Sequence, residues 1–239
     1  MKSNMALFTA ISVMVSLFTA SGTVVEQRVD KLKISEVQAQ EKEKNIGIDH
    51  EAVGYKIIRK VSENKESNTK IFYPQISEYP GELLMDYMNQ NLRKIVDIYG
   101  KEEMYQNISI DYKITKMNND ILSVLFKGSG KISDGREINI QKSVNLDIKT
   151  SNKIEFHNLI KSDQTSKTAV MEILKEKSKE VGIKNEEELE GINVYFEGEN
   201  VVFFYMPADD SATNFVEISV PIKEIESFIN TDFGEIPAS

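Results

Sequence analysis

The chain contains no cysteine and only two histidines, His50 and His157. Without cysteine there can be no disulfide scaffold, thiol nucleophile or Cys-based zinc site. The fold must therefore rest on core burial, which 239 residues permit. Positive charge is also scarce: 38 acidic side chains face 29 basic ones, a formal net charge of -9. A nucleic-acid binder needs a basic surface to neutralise phosphates, so that class is set aside. No Gly-x-Ser-x-Gly, His-Glu-x-x-His or phosphate-binding glycine loop is present, which removes the familiar hydrolases and nucleotide enzymes. Tandem repeats and low-complexity tracts are absent as well.

Charge is missing in one more place. Between Lys2 and Glu26 no ionisable side chain occurs, and Met5 to Ala20 is an apolar run. One positive residue, an apolar middle and then Ala20-Ser21-Gly22 make the pattern of a secretory signal, with cleavage expected near Ala20 to Gly22. An uncleaved membrane anchor is the alternative, since about 20 apolar residues span a bilayer. With no cysteine after the run, a lipid anchor is excluded. The expected location is secreted or cell-surface, outside the cytoplasm. Glu26 to Asn45 is polar and mixed in charge, and reads as a spacer.

From about Gly47 the pattern becomes that of a folded protein. Strands are expected around Tyr55 to Val61 and at Lys70 to Ile76. Pro80-Gly81 opens a helix in which Leu84, Met88, Asn91/Leu92, Ile95 and Ile98/Tyr99 recur at helical spacing, with Gly100 at its stop. Ile108, Ile110, Tyr112 and Ile114 alternate on one face. Asn118-Asn119-Asp120 and Ser133-Asp134-Gly135 are turns, so residues 107–148 read as a three-stranded antiparallel meander. Ser162 or Asp163 caps a second helix from Ser166 to Val181, and Glu186 to Glu190 is an acidic surface turn. Strands follow at Asn193 to Glu197, Asn200 to Met206 and Asn214 to Val220, then a short closing helix from Ile222. Strands and helices segregate, so the expected class is α+β, mostly antiparallel, with a helix packed in each half. The expected organisation is residues 1–22 signal or anchor, 23–46 spacer, 47–160 an N-terminal α+β domain, and 161–239 a C-terminal α+β part packed on the preceding strands.

Several segments together resemble a bacterial extracytoplasmic pair of domains of unknown function. They are Tyr73-Pro74-Gln75-Ile76, Met88-Asn89-Gln90-Asn91-Leu92, Asp111-Tyr112-Lys113-Ile114 with Ile121-Leu122-Ser123-Val124, Ser143 to Thr150, and Phe203-Phe204-Tyr205 with Glu217 to Pro221. That pair is found in the lysozyme-sensing anti-sigma-V factor and beside the catalytic domain of the peptidoglycan deacetylase PdaC. The resemblance covers about residues 55–230. It implies a sensory or accessory module without its usual effector, because only Met1 to Asn4 precede the apolar run and no room remains for a deacetylase domain. Residues 207–214 depart from the family's small aromatic-containing loop.

His157 beside Glu155 could act as a general base, but no nucleophile or metal motif accompanies it. Asp209 and Asp210 lack the spacing of a calcium loop. The function expected is therefore a non-catalytic binding or sensory module of the cell envelope, with no cofactor. Its ligand would be a lysozyme-like protein or wall polymer, and membrane contact arises only if the N-terminal segment stays uncleaved. A carboxylate-based envelope hydrolase and a structural envelope component are the alternatives. The expected binding surface is Asp209, Asp210 and Asn214 in one loop, with Glu187 and Glu188 in the acidic turn.

Overall fold

Alternating apolar residues build the first sheet of the computed structural model, which describes residues 53–101, 103–180, 191–207, 214–231 and 233. The leader, the spacer, His50 and the acidic turn lie outside the described residues. Strands β1 (Lys56–Asn64), β2 (Thr69–Ser77), β3 (Tyr105–Met117), β4 (Ile121–Ile132) and β5 (Glu137–Asp147) form a five-stranded sheet in chain order. Helix α1 (Glu82–Lys101) connects β2 to β3, and those two strands pair in parallel. Every other pairing is antiparallel. A parallel pair requires such a crossover, which is why the helix sits there.

The α1 crossover covers one face of the sheet. Met88, Leu92, Ile95, Val96 and Tyr99 bury against Ile71, Tyr73, Ile108, Ile110, Leu122, Val124 and Phe126. Of the positions at helical spacing, Asn91, Leu92 and Tyr99 are buried, whereas Leu84 and Ile98 are about 40% exposed. The stripe that faces the sheet is centred on Met88, Leu92 and Ile95, so residues at its margins point out. Close packing between β3 and β4 depends on glycine: a Cβ at Gly128 would lie 2.2 Å from the Ser109 carbonyl oxygen.

Strands β6 (Asn193–Glu197), β7 (Asn200–Tyr205) and β8 (Val216–Pro221) make a second, antiparallel sheet. Its β7 strand is buried on both sides. Val201, Phe203 and Tyr205 join Ile154, Leu159, Val170, Leu174, Ile218 and Val220 in one core. Val202 and Phe204 face the other way, against Leu125 and Tyr195. The first of these cores is covered by α2 (Phe156–Leu159), α3 (Gln164–Glu180) and α4 (Ile222–Ile225). Asp163 caps α3 as expected, its Oδ1 accepting the Ser166 N–H at 2.8 Å. The architecture is thus α+β, helix on sheet on sheet on helix.

Between the sheets runs a short row of buried polar side chains from three neighbouring strands. Thr115 Oγ1 donates to Ser123 Oγ at 2.9 Å, and Ser123 Oγ donates to Asn145 Oδ1 at 2.7 Å. Ser123 Oγ also accepts the Phe196 N–H at 3.0 Å. Asn145 Nδ2 donates to the Val194 and Ile154 carbonyls at 2.8 and 3.0 Å. Two backbone groups of β6, the free edge of the small sheet, are thereby satisfied by side chains of the large one.

Asn145→Ala removes a buried donor from the Val194 and Ile154 carbonyls, of which only Val194 keeps a second one in Ser143 Oγ, and should cost about 1–3 kcal/mol. Leu83→Ser on the exposed side of α1 should stay within about 0.5 kcal/mol of wild type. Urea unfolding of the two variants checks both; equal losses would show that the polar row does not hold the sheets.

Candidate functional site

Because β6 is pinned over one face of β5 and α1 lies on the other, a cleft of about 650 Å³ opens between them. Its α1 wall carries Asn91, Lys94, Ile95 and Ile98. The floor is Phe126 with Lys142 to Asn145 of β5. Lys153 to His157 and Gly191 to Val194 form the far wall. The lining is mixed: an apolar base of Ile95, Phe126, Val144, Ile154 and Ile192, rimmed by ammonium groups. Lys94, Lys142 and Lys153 contribute three positive charges against the single carboxylate of Glu155. On a chain of net charge -9 this is a local reversal of sign.

Lys153 and Glu155 pair across the far wall. Glu155 Oε2 also lies 3.5 Å from His157 Nδ1, and the imidazole is 66% exposed. The two side chains weighed in the sequence as a general base and its partner are thus neighbours at the exposed rim of the cleft. Ser143 shares the cleft, but its Oγ donates to the Val194 carbonyl at 2.6 Å, so it acts as a strut of the polar row. Lys94 and Lys142 have no ion-pair partner among the described residues. Nor, among those residues, do three His, Asp or Glu side chains gather as a metal site.

A second, narrower groove of about 460 Å³ runs between the sheets at the other end. Lys113 pairs with Glu197 at 2.6 Å and Lys127 with Glu217 at 2.8 Å, each joining the large sheet to the small one. Burial alone would push the Glu217 carboxyl up. Hydrogen bonds from Lys127 and Gln141, the Lys127 charge and the Tyr195 hydroxyl outweigh it and hold the group below its ordinary value. The Tyr195 hydroxyl is pushed well up, by burial first and then by the Glu217 and Glu197 carboxylates. With its charges matched, this groove reads as a clamp between sheets.

Of the surface residues expected from sequence, Asn214 is exposed in a shallow depression adjoining this clamp, its Oδ1 3.4 Å from Asn139 Nδ2. Asp209, Asp210, Glu187 and Glu188 lie outside the described residues. Sequence reasoning missed Lys94, Lys142 and Lys153. They come from a helix, a strand and an isolated β-bridge far apart in the sequence, so no local signal marked them.

No protein-family model matches this sequence, and no curated protein matches it. Among solved structures, a member of the DUF3298 family from Bacteroides fragilis superposes with a TM-score of 0.51 at 13% identity, over 75% of this chain and 94% of its own. A DUF3298 family protein from Pseudomonas aeruginosa PAO1 does so with a TM-score of 0.48 at 9% identity, over 74% of this chain and 95% of its own. At 13% identity the first likeness is one of fold.

Carboxyls held below their ordinary value stabilise the fold above that value and lose the contribution as pH falls through the lowered one. Stability should therefore drop on acidification below the ordinary Glu value of 4.5. Glu217→Gln should unfold at lower urea near neutral pH and show a shallower acid limb, with Asp163, also held low by its Ser166 bonds, supplying the remainder. Urea midpoints measured across the acid range test this; an unchanged limb would remove Glu217 from the clamp.

Proposed function

We propose that this chain is a binding module working outside the cytoplasm at the cell envelope, and that the cleft between α1, β5 and α2 holds an anionic ligand. The observation that carries the proposal is the sign of the cleft: three ammonium groups rim an apolar base on an acidic molecule. A concave, mostly apolar site with a few charged groups at its edge is how ligands are commonly held. Export is supported by the uncharged apolar opening of the chain. The resemblance to the extracytoplasmic domain pair of the anti-sigma-V factor and PdaC supports the same setting.

Charge ranks the ligand classes. A cationic lysozyme-like protein would be repelled from this cleft and would have to use the acidic remainder of the surface. Anionic wall polymer, or an acidic protein segment, matches it. Binding without turnover fits the local chemistry, since the Ser143 hydroxyl donates its hydrogen bond to the Val194 carbonyl and Glu155 is shared between Lys153 and His157.

The double variant Lys94→Glu, Lys142→Glu should bind soluble wall-polymer fragments and poly-L-glutamate at least about tenfold more weakly at low salt, a change of about 1.4 kcal/mol. Lysozyme binding should not weaken. Loss of lysozyme binding with polymer binding intact would invert the ranking, and turnover of the fragments in the same assay would favour the carboxylate hydrolase. N-terminal sequencing of the protein recovered from the culture medium should begin near Ala20 to Gly22; recovery only with membranes would indicate an anchor.

A further inference from the structure

Along a strand the N–H and C=O of one residue point to the same side, and those of the next residue to the other. In β5 the Asn145 carbonyl accepts from the Ile154 N–H at 2.8 Å, and the Asp147 N–H donates to the Asn152 carbonyl at 2.9 Å. Residues of this parity thus face away from β4, toward the outer edge of the sheet. The hairpin agrees: the Ile132 N–H, which points toward β5, donates to the carbonyl of Arg136, of the opposite parity. Ser143 must then present both its backbone groups outward, into the cleft. Among the described residues nothing pairs with them.

The reason is visible one step along the chain. Residues 152–154 run beside β5 as a short extra strand, and at Glu155 the backbone turns into α2. The outer edge is occupied as far as Asn145 and then abandoned at the point where the cleft begins. We infer that this abandoned edge of β5 at Ser143 is a strand-acceptor site, which takes an extended acidic segment of a protein partner as a further antiparallel strand in line with residues 152–154. The inference rests on the cleft being the binding site and specifies what fills it.

An extended peptide is the occupant because the open groups are the backbone donor and acceptor of one strand residue, in line with the antiparallel bridge at Lys153. Its side chains would alternate between the two walls. Those facing α1 meet Lys94 and Lys142, and those facing the other wall meet Phe156 and Ile192. An alternating acidic and apolar sequence satisfies both. A second copy of this chain pairing through the same edge would bring Lys142 toward Lys142, and like charges oppose that.

The test uses the whole protein and a synthetic hexapeptide of alternating Glu and Val, with a Lys-Val counterpart and two N-methylated forms, one at every Glu and one at every Val. The Glu-Val peptide should bind and the Lys-Val peptide should bind at least tenfold more weakly. One methylated form should lose at least tenfold, because its N–H groups face β5, while the other, methylated on the outer edge, stays near the parent. Ser143→Pro, which removes the outward donor at an edge position, should weaken the parent peptide similarly. Equal binding of both methylated forms would overturn strand addition while leaving a charge-selective cleft intact. Failure of the Glu-Val peptide to bind, with wall-polymer binding retained, would overturn the peptide occupant alone; loss of both would remove the cleft as a site.

Discussion

Thr115, Ser123 and Asn145 lie side by side on β3, β4 and β5, and their hydrogen bonds hold β6 across the face of the large sheet. The apolar contact at that interface is small, with Leu125, Tyr195, Val202 and Phe204 as its buried members. Apolar burial is non-directional and would tolerate several orientations of one sheet on the other. A buried edge strand is less tolerant, because each unmatched backbone group is penalised on desolvation. Satisfying the Val194 carbonyl and the Phe196 N–H from fixed side chains selects one orientation. The ion pairs Lys113–Glu197 and Lys127–Glu217 repeat that choice at the wet margin, where they add specificity more than stability.

The cleft is a by-product of this arrangement. β6 is held on one side of β5, α1 packs on the other, and neither covers the strand's outer edge. The same polar row withdraws Ser143 from chemistry by fastening its hydroxyl to Val194. What remains accessible is backbone, an apolar base and the ends of lysines, a combination suited to recognition.

Much of the fold was legible because alternation is a strong signal when one face is buried. Ile108, Ile110 and Ile114 on β3, and the turns at Asn118 to Asp120 and Ser133 to Gly135, are where the meander was expected. The parallel pairing of β2 with β3 was not legible, since a helix between two strands does not say whether they become neighbours in one sheet. Leu84 and Ile98 misled because helical spacing says which residues share a stripe, not how wide a stripe the sheet will cover. Ser123 and Asn145 are polar positions within strands expected from sequence. Their burial depends on a second sheet distant in sequence, the Asn145–Val194 and Ser123–Phe196 bonds spanning separations of 49 and 73. The candidate cleft failed to show for the same reason: Lys94, Lys142 and Lys153 converge only in three dimensions.

Strand order in the large sheet is identical to chain order, and each of its strands pairs with the one made just before it. All its pairings are complete by Asp147, before any residue of the small sheet has been reached. Contacts close in sequence form at lower entropic cost and therefore earlier. The first 95 or so residues of the described span, from Val53 to Asp147, can thus assemble as a surface whose exposed serine and asparagine serve as a template, and the later strands condense onto it. Assembly of this protein is in that sense vectorial: the sheet synthesised first dictates where the second one lands.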